Sequence, residues 1–280
     1  MATLTLLAPG DAAELERFLV AHADSSMFLR GNSRAAGLLD RGERLQGTYV
    51  AAREDGAIVA VAAHFWNGNI IVQGRGDVVA EAARAAVERS GRDVRGLLGP
   101  VAQVVAVRAA LGLADRATTL DSREDLMALA LSDLRVPPPL SDGRWRCRNP
   151  VAEDDPTLDQ WDFDYGTEAL GAPPTRERPA PTPFQPQPSG FVLLVDGQLA
   201  AQCRFTAELP DAVLIGGVYT PPALRNRGYG RGVVAGALVD ARARGVTRGV
   251  LFTENPAARA AYAGIGFAVV GDYAIVLFSP

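Results

Sequence analysis

VYTPPALRNRGYGRGVVAGALVDARARGVTRGVLFTENPAARAAYAGIGF, residues 218–267, is the stretch whose reading decides the fold. An apolar run, Ala212-Val-Leu-Ile-Gly-Gly-Val-Tyr219, leads into it and should end as a strand at Thr220-Pro221-Pro222, since proline cannot donate to a ladder. Arg225-Asn-Arg-Gly-Tyr-Gly-Arg-Gly232 then forms a glycine-rich turn feeding a helix, whose Val233, Val234, Ala237, Leu238 and Ala241 recur at helical spacing. Gly245 is the expected stop, with Arg242 and Arg244 at the negative end of the helix dipole. A second strand is predicted over Gly249–Phe252, and Asn255-Pro256 opens a second helix with a capping residue and a proline just inside.

Two readings of the glycine turn stand side by side. It can be an ordinary strand-to-helix turn in which glycine supplies positive φ. It can also hold phosphate, because the first amides of a helix lack internal partners and the dipole places partial positive charge beside them. A dinucleotide-binding turn does not fit: Gly228-Tyr-Gly230-Arg-Gly232 has the wrong spacing, falls late in the chain and lacks the βαβ partner with a distal acid.

The downstream residues carry a resemblance. Arg225, Gly228 and Gly230 have the spacing of one element, and Asn255, Ala258, Tyr262, Gly266 and Phe267 the spacing of a second. In order, with a helix and a strand between, the two resemble the signature of the GCN5-related N-acetyltransferase (GNAT) superfamily. The resemblance implies an acetyl-CoA site without a metal. The amides of Arg227, Gly228, Tyr229, Gly230, Arg231 and Gly232 would hold the pyrophosphate, with Arg225 and Arg259 beside them. Val218 and Tyr219 would pair with the pantetheine arm as an added strand, Asn255 would bond a pantetheine amide, and Tyr262 would protonate the departing thiolate. In this superfamily a carboxylate base usually sits on the strand before the turn, where this chain has Leu214-Ile215-Gly216. Glu208, Glu254, Glu168 and a water chain are the alternatives. The implied activity is acetyl transfer to a primary amine in a ternary complex. A rival reading is a regulatory module that binds acyl-CoA without turnover.

The order of elements in 48–113 mirrors that in 191–267, with Val78-Val79-Ala80 and Gly112 preceding Val233-Val234-Ala235 and Gly266 by 155 and 154 residues. The fold expected is therefore α/β with a mixed sheet: two tandem GNAT-like domains, each a mostly antiparallel splayed sheet flanked by helices. In the first copy Arg108 stands where the second has Tyr262, Gly99-Pro100 replaces Glu254-Asn255, and Asp77 lies at the mouth of the helix. A carboxylate there would cap the amides and repel pyrophosphate, leaving this copy structural or acceptor-shaping. Boundaries are expected at 1–136 for the degenerate copy, 137–143 for a proline-rich linker and 144–280 for the catalytic domain. This tandem layout also resembles mycothiol synthase-type enzymes.

Composition narrows the classes further. With 280 residues, 48% of them hydrophobic and 21% charged, the chain has ample core for two domains. A formal charge of −4 with no basic cluster argues against nucleic acid, and no apolar run is long enough for a membrane span. The N-terminus lacks the basic and apolar regions of a signal peptide, so a cytoplasmic monomer or homodimer is expected. Every basic residue is Arg, which rules out a Lys nucleophile. Cys147 and Cys203 are read as buried apolar residues, and with only His22 and His64 a zinc site is not expected.

Overall fold

The computed structural model describes residues 2–169 and 189–279; the proline-rich stretch 172–189, whose composition reads as a loop, falls, but for its last residue, outside them. The chain divides into two compact units, Met1–Leu126 with Gly271–Pro280, and Met127–Val270. The first contains β1 (Thr3–Leu6), α1 (Ala12–Val20), α2 (Met27–Ala36), β2 (Gly47–Glu54), β3 (Ala57–Phe65), β4 (Asn69–Gly74), α3 (Gly76–Ser90), β5 (Gly96–Gly99), α4 (Val101–Ala110) and most of β6 (Thr118–Ala130). The second holds the end of β6, α5 (Pro138–Ser141), β7 (Trp145–Arg148), α6 (Asp155–Ala169), β8 (Gly190–Val195), β9 (Gln198–Glu208), β10 (Ala212–Tyr219), α7 (Tyr229–Ala243), β11 (Arg248–Thr253) and α8 (Pro256–Ala263). The last strand, β12 (Ala268–Phe278), crosses from the second unit into the first at Gly271.

The repeat is visible in the pairing. β2, β3 and β4 are antiparallel neighbours and β4 runs parallel to β5; β8, β9, β10 and β11 repeat that scheme. Each leading hairpin turns on Asp-Gly with both residues left-handed, at Asp55-Gly56 (φ +48° and +82°) and Asp196-Gly197 (φ +50° and +79°). Such a turn matches the twist of the flanking strands. In the first unit Val50, Ala52, Ala60, Ala62, Ile70 and Val72 face Val79, Ala82, Ala83 and Ala86 of α3. In the second, Leu193, Cys203, Val213 and Ile215 meet Val233, Val234, Ala237, Leu238 and Ala241 of α7.

The boundaries expected at 137–143 do not coincide with the division of the structure. Beyond β5 the first unit is completed by β12, through Ala274↔Gly99 to Leu277↔Gly96, and Ala274, Val276 and Phe278 are buried in its core. The end of β6 lies beside β11, where the Leu131 amide donates to the Thr247 carbonyl at 2.8 Å, and Met127, Leu129, Leu131 and Leu134 enter the second core. Each unit thus takes a closing strand from the other half of the sequence. The prolines do not form a linker: Pro138 and Pro139 open α5, and Leu140 packs against the second core.

The first unit carries a buried polar cluster with a consequence for stability. His64 is fully buried, with Nδ1 2.7 Å from Ser90 Oγ and Nε2 3.2 Å from the Gly68 carbonyl. Burial pushes its pKa below the ordinary value, and the nearby Arg92 guanidinium adds to this. Burial alone would raise the Asp40 pKa, but bonds from Arg92, Thr48 and the Gly42 amide hold it at about 2. Both groups have depressed pKa values in the fold, so their contribution is full above the unfolded values and is lost on acidification. We expect the denaturant midpoint of the first unit to fall as pH drops below about 6.5, and further between about pH 4 and 2. Equal midpoints at pH 7.5 and 5 would show that His64 does not contribute.

Candidate functional site

The site is built where β10 leaves its neighbours. The parallel ladder between β10 and β11 ends at Ile215↔Leu251, while β10 continues to Tyr219. Between Gly216 and Tyr219, β10 advances three residues while β9 advances two, from Arg204 to Gln202. Gly217, at φ +57°, takes up the extra residue. A bulge of this kind bends its strand and strengthens the local twist. The result is a strand end whose edge toward β11 extends past the ladder, where an extended ligand could add as a strand.

The chain then turns through Pro222–Leu224, with Asn226 at φ +63° and Gly228 at φ +81°. Gly228 is the N-cap of α7 and provides no side-chain cap. The first helical bond runs from the Gly232 amide to the Gly228 carbonyl at 3.0 Å. The amides of Tyr229, Gly230 and Arg231 precede that bond and remain as the orphan donors of the helix start.

The three glycines of the turn have different reasons to be glycine. Gly228 needs its left-handed backbone. A Cβ on Gly232 would lie 2.8 Å from the Trp145 ring and 3.2 Å from Leu193, and one on Gly236, a turn later, 2.4 Å from Cys147. These two let α7 settle onto β7 and β8, so Gly232, expected in the cradle, is a packing residue with a committed amide. Gly230 differs. A Cβ there would meet only Thr220 Oγ1 at 3.5 Å and Val218 Cγ1 at 3.9 Å, ordinary contact distances. The protein's own packing does not require glycine at 230.

We expect Gly232→Ala to destabilise the second unit by about 1–3 kcal/mol through overpacking, whereas Gly230→Ala should leave its thermal midpoint unchanged. Matched melts of the two variants check this; equal losses would contradict the distinction.

Arginines surround the turn. The Arg231 guanidinium lies over Gly228, where a Cβ would be 3.1 Å from its Nε, and near Gly264. Arg225 donates to the Thr220 carbonyl at 2.9 Å and to Glu168 Oε2 at 2.5 Å, so its side chain braces the turn. Arg227 and Arg259 are exposed. The Tyr229 ring packs edge-on against Trp145, 5.4 Å between centroids, leaving its amide to the turn.

Asn255 caps α8: its Oδ1 accepts from the Ala257 and Ala258 amides at 2.9 and 3.2 Å, so only Nδ2 can serve a ligand. Tyr262, one helix face further on, is buried with its ring 6.2 Å from that of Phe267. Burial pushes its phenol well above the ordinary range, with Cys203 and Tyr165 adding to the rise. Glu254 is exposed between β11 and Asn255. Glu208 is not brought to the site. It is paired with Val213 near the start of β10 and bound to Arg244 and Ser189. Six residues of strand separate Val213 from Tyr219, about 20 Å at 3.3 Å per residue.

Asp162, Asp164 and Glu168 lie on α6. Tyr219 is buried beside Trp161, 6.1 Å between centroids, and its hydroxyl is 3.4 Å from Glu168 and 3.5 Å from Asp164. Asp162 accepts from Gln202 at 2.9 Å and pairs with Arg204 at 3.1 Å. Asp155, Asp159 and Asp162 line a small open cleft together with Gln202 and Gly217.

The first unit lacks this arrangement at the equivalent place. Asp77 accepts from the Val78 amide at 2.9 Å, and Gln103 Oε1 takes the Gly74 amide at 2.9 Å. Arg108 is used within the unit, on the Leu113 carbonyl and on Asp121. One amide of the α3 start, that of Val78, and the Gly74 amide before it are thus met by the chain's own side chains. Among the described residues, no helix is long and apolar enough to cross a membrane, and no group of three His, Cys, Asp or Glu could hold a metal ion.

Comparison with known proteins agrees with the geometry. Residues 155–267 match the acetyltransferase (GNAT) family. No curated protein sequence matches the chain. Among solved structures, a Drosophila protein is similar at TM-score 0.65 and 14% identity, covering 99% of each chain. A GCN5-related N-acetyltransferase from Kribbella flavida is similar at TM-score 0.58 and 19% identity, over 93% of this chain and 96% of that one. A tandem GNAT protein from the clavulanic acid biosynthesis pathway is similar at TM-score 0.52 and 14% identity, over 100% and 98%. At these identities the likeness is one of fold. The chain therefore carries a domain of the acetyltransferase (GNAT) family over residues 155–267, on the mixed α/β fold of GNAT proteins, and acyl transfer is the chemistry that family and fold support.

Proposed function

We propose that the second unit transfers an acetyl group from acetyl-CoA to a primary amine by direct attack in a ternary complex. The observation that carries this reading is the α7 start, where the amides of Tyr229, Gly230 and Arg231 precede the first helical bond and Gly230 is a glycine that the protein's own packing does not require. Gly228, Tyr229, Gly230 and Arg231 would bind the pyrophosphate through their amides, with the Arg227 and Arg231 charges beside them. The edge of β10 at Val218 and Tyr219 would hold the pantetheine arm, and Asn255 would give it Nδ2. The first unit serves as scaffold.

Tyr262 would supply the proton to the leaving thiolate. Its raised pKa keeps it protonated, the form required, but also makes it a reluctant donor, so its contribution falls near the low end of general acid catalysis. We expect Tyr262→Phe to lower kcat by about 10²-fold while acetyl-CoA affinity stays within about twofold. A variant with wild-type kcat would reduce Tyr262 to a packing residue.

The alternative, an acyl-CoA-binding regulatory module, draws on Leu214-Ile215-Gly216 standing where relatives usually place a carboxylate. Incubation with acetyl-CoA and a panel of amines, with detection of free thiol, separates the two. Amine-dependent thiol release supports the enzyme; tight binding with none supports the module.

A further inference from the structure

Two residues of β9 bracket the extra residue of β10. Arg204 stands opposite Gly216, where the bulge begins, and Gln202 stands opposite Tyr219, where it ends. Both side chains reach one carboxylate of α6. Gln202 Nε2 donates to Asp162 Oδ1 at 2.9 Å, and Arg204 Nη1 donates to Oδ2 at 3.1 Å and to Oδ1 at 3.3 Å. Asp162 therefore ties together the two register positions between which β10 gains a residue on its partner.

The residue between them does not hold that shape by itself. Glycine has the freest backbone of the residue types, and the φ of +57° at Gly217 is one of several states open to it. Contact selects that state. The Arg204 guanidinium lies so close that a Cβ on Gly217 would stand 2.8 Å from Nε and 3.1 Å from Cζ and Nη2. Glycine at 217 thus permits the turn and also admits the side chain that covers it. The neighbouring irregularity, between Leu214 and Ile215, is bridged within the strand pair, by Thr206 Oγ1 donating to the Leu214 carbonyl at 3.3 Å. The Gly217 bulge is bridged from a helix instead. Arg204 and Asp162 are 39% and 46% exposed, and an exposed pair contributes little to stability. Its consequence is a fixed local shape.

We propose, resting on the acetyl-transfer reading above, that Asp162 is a positioning residue: through Gln202 and Arg204 it fixes the Gly217 bulge, and the bulge aims the backbone at Val218 and Tyr219 toward the thioester. The role needs neither contact with the acyl group nor a proton transfer. Bulges re-aim the strand that follows them, and a group displaced by about 1 Å from its reacting partner can cost about a hundredfold in rate. Without Asp162 the strand end keeps its residues and loses its aim.

The test uses the full chain and acetyl-CoA labelled with carbon-13 at the carbonyl. Difference infrared spectra of the bound label read the hydrogen bonding of the thioester oxygen with no amine present. We expect Asp162→Ala to move the carbonyl band to higher frequency and to broaden it, as a looser hydrogen bond does. Asp162→Asn should lie between, because its Oδ1 still accepts from Gln202 while the charge facing Arg204 is gone. In thiol release with a panel of amines, kcat of Asp162→Ala should fall about tenfold to a hundredfold, with acetyl-CoA affinity and thermal midpoint unchanged. A band at the wild-type position in both variants would overturn the inference while leaving acetyl transfer standing. Acetyl-CoA affinity falling in step with the thermal midpoint would do the same, since that marks a structural role. A wild-type chain that binds no acetyl-CoA would overturn both.

Discussion

Residues 144–280 produced alone should fail to fold. This segment lacks Met127, Leu129, Leu131 and Leu134, which are 1–8% exposed in the second core. Burying such a side chain is worth about 1.5–3 kcal/mol, so four amount to roughly 6–12 kcal/mol, the size of a whole domain's stability. The bonds from the Leu131 amide to Thr247 and from the Arg135 amide to Ile265 go with them. At its other end the segment would carry Tyr273, Ala274, Val276 and Phe278 without the first-unit core that buries them. Residues 127–270, which match the second unit, should hold far more structure. Circular dichroism and gel filtration of both segments check this. A soluble 144–280 with cooperative unfolding would show that the strand exchange between the halves of the chain is not needed.

The reasons this exchange was hidden in the sequence are physical. Most elements announce themselves through local signals: the two Asp-Gly hairpins, the apolar run before Pro221, the helical periodicity of Val233 to Ala241 and the Asn255-Pro256 start. β6 has none of these. Its middle, Asp121 to Asp125, is rich in charge, and part of that charge is met by residues distant in sequence, Arg123 pairing with Asp272 at 2.8 Å. Three consecutive prolines looked like a linker because proline ends regular structure, yet proline is equally at home in the first turn of a helix. Gly232 shows a signal present but overlooked. Gly232 and Gly236 are four apart on one helix face, the spacing of a close helix-to-sheet contact rather than of a phosphate turn. The pairing of Tyr219 with α6 could not be read from the chain, because 51 residues separate it from Glu168.

Gly230→Glu carries the largest expected effect on the proposed site. The added side chain starts at an ordinary contact distance, 3.5 Å from Thr220 Oγ1, so the fold should tolerate it. For a pyrophosphate the same substitution brings both bulk and a like charge to the helix-start amides. A carboxylate beside an anion in a partly closed site disfavours binding by several kcal/mol, which is enough to take micromolar affinity beyond a measurable range. Gly232→Glu, by contrast, should damage folding first, since its Cβ meets the Trp145 ring.

The central claim is that one cradle, at the start of α7, binds acetyl-CoA, and that the equivalent place in the first unit does not. Its most direct test is calorimetric titration of the full chain with acetyl-CoA, run beside Gly230→Glu of unchanged thermal midpoint. We predict one site per chain in the wild type and no detectable binding in the variant. Wild-type affinity in the folded variant, or two equivalent sites per chain, would contradict the account.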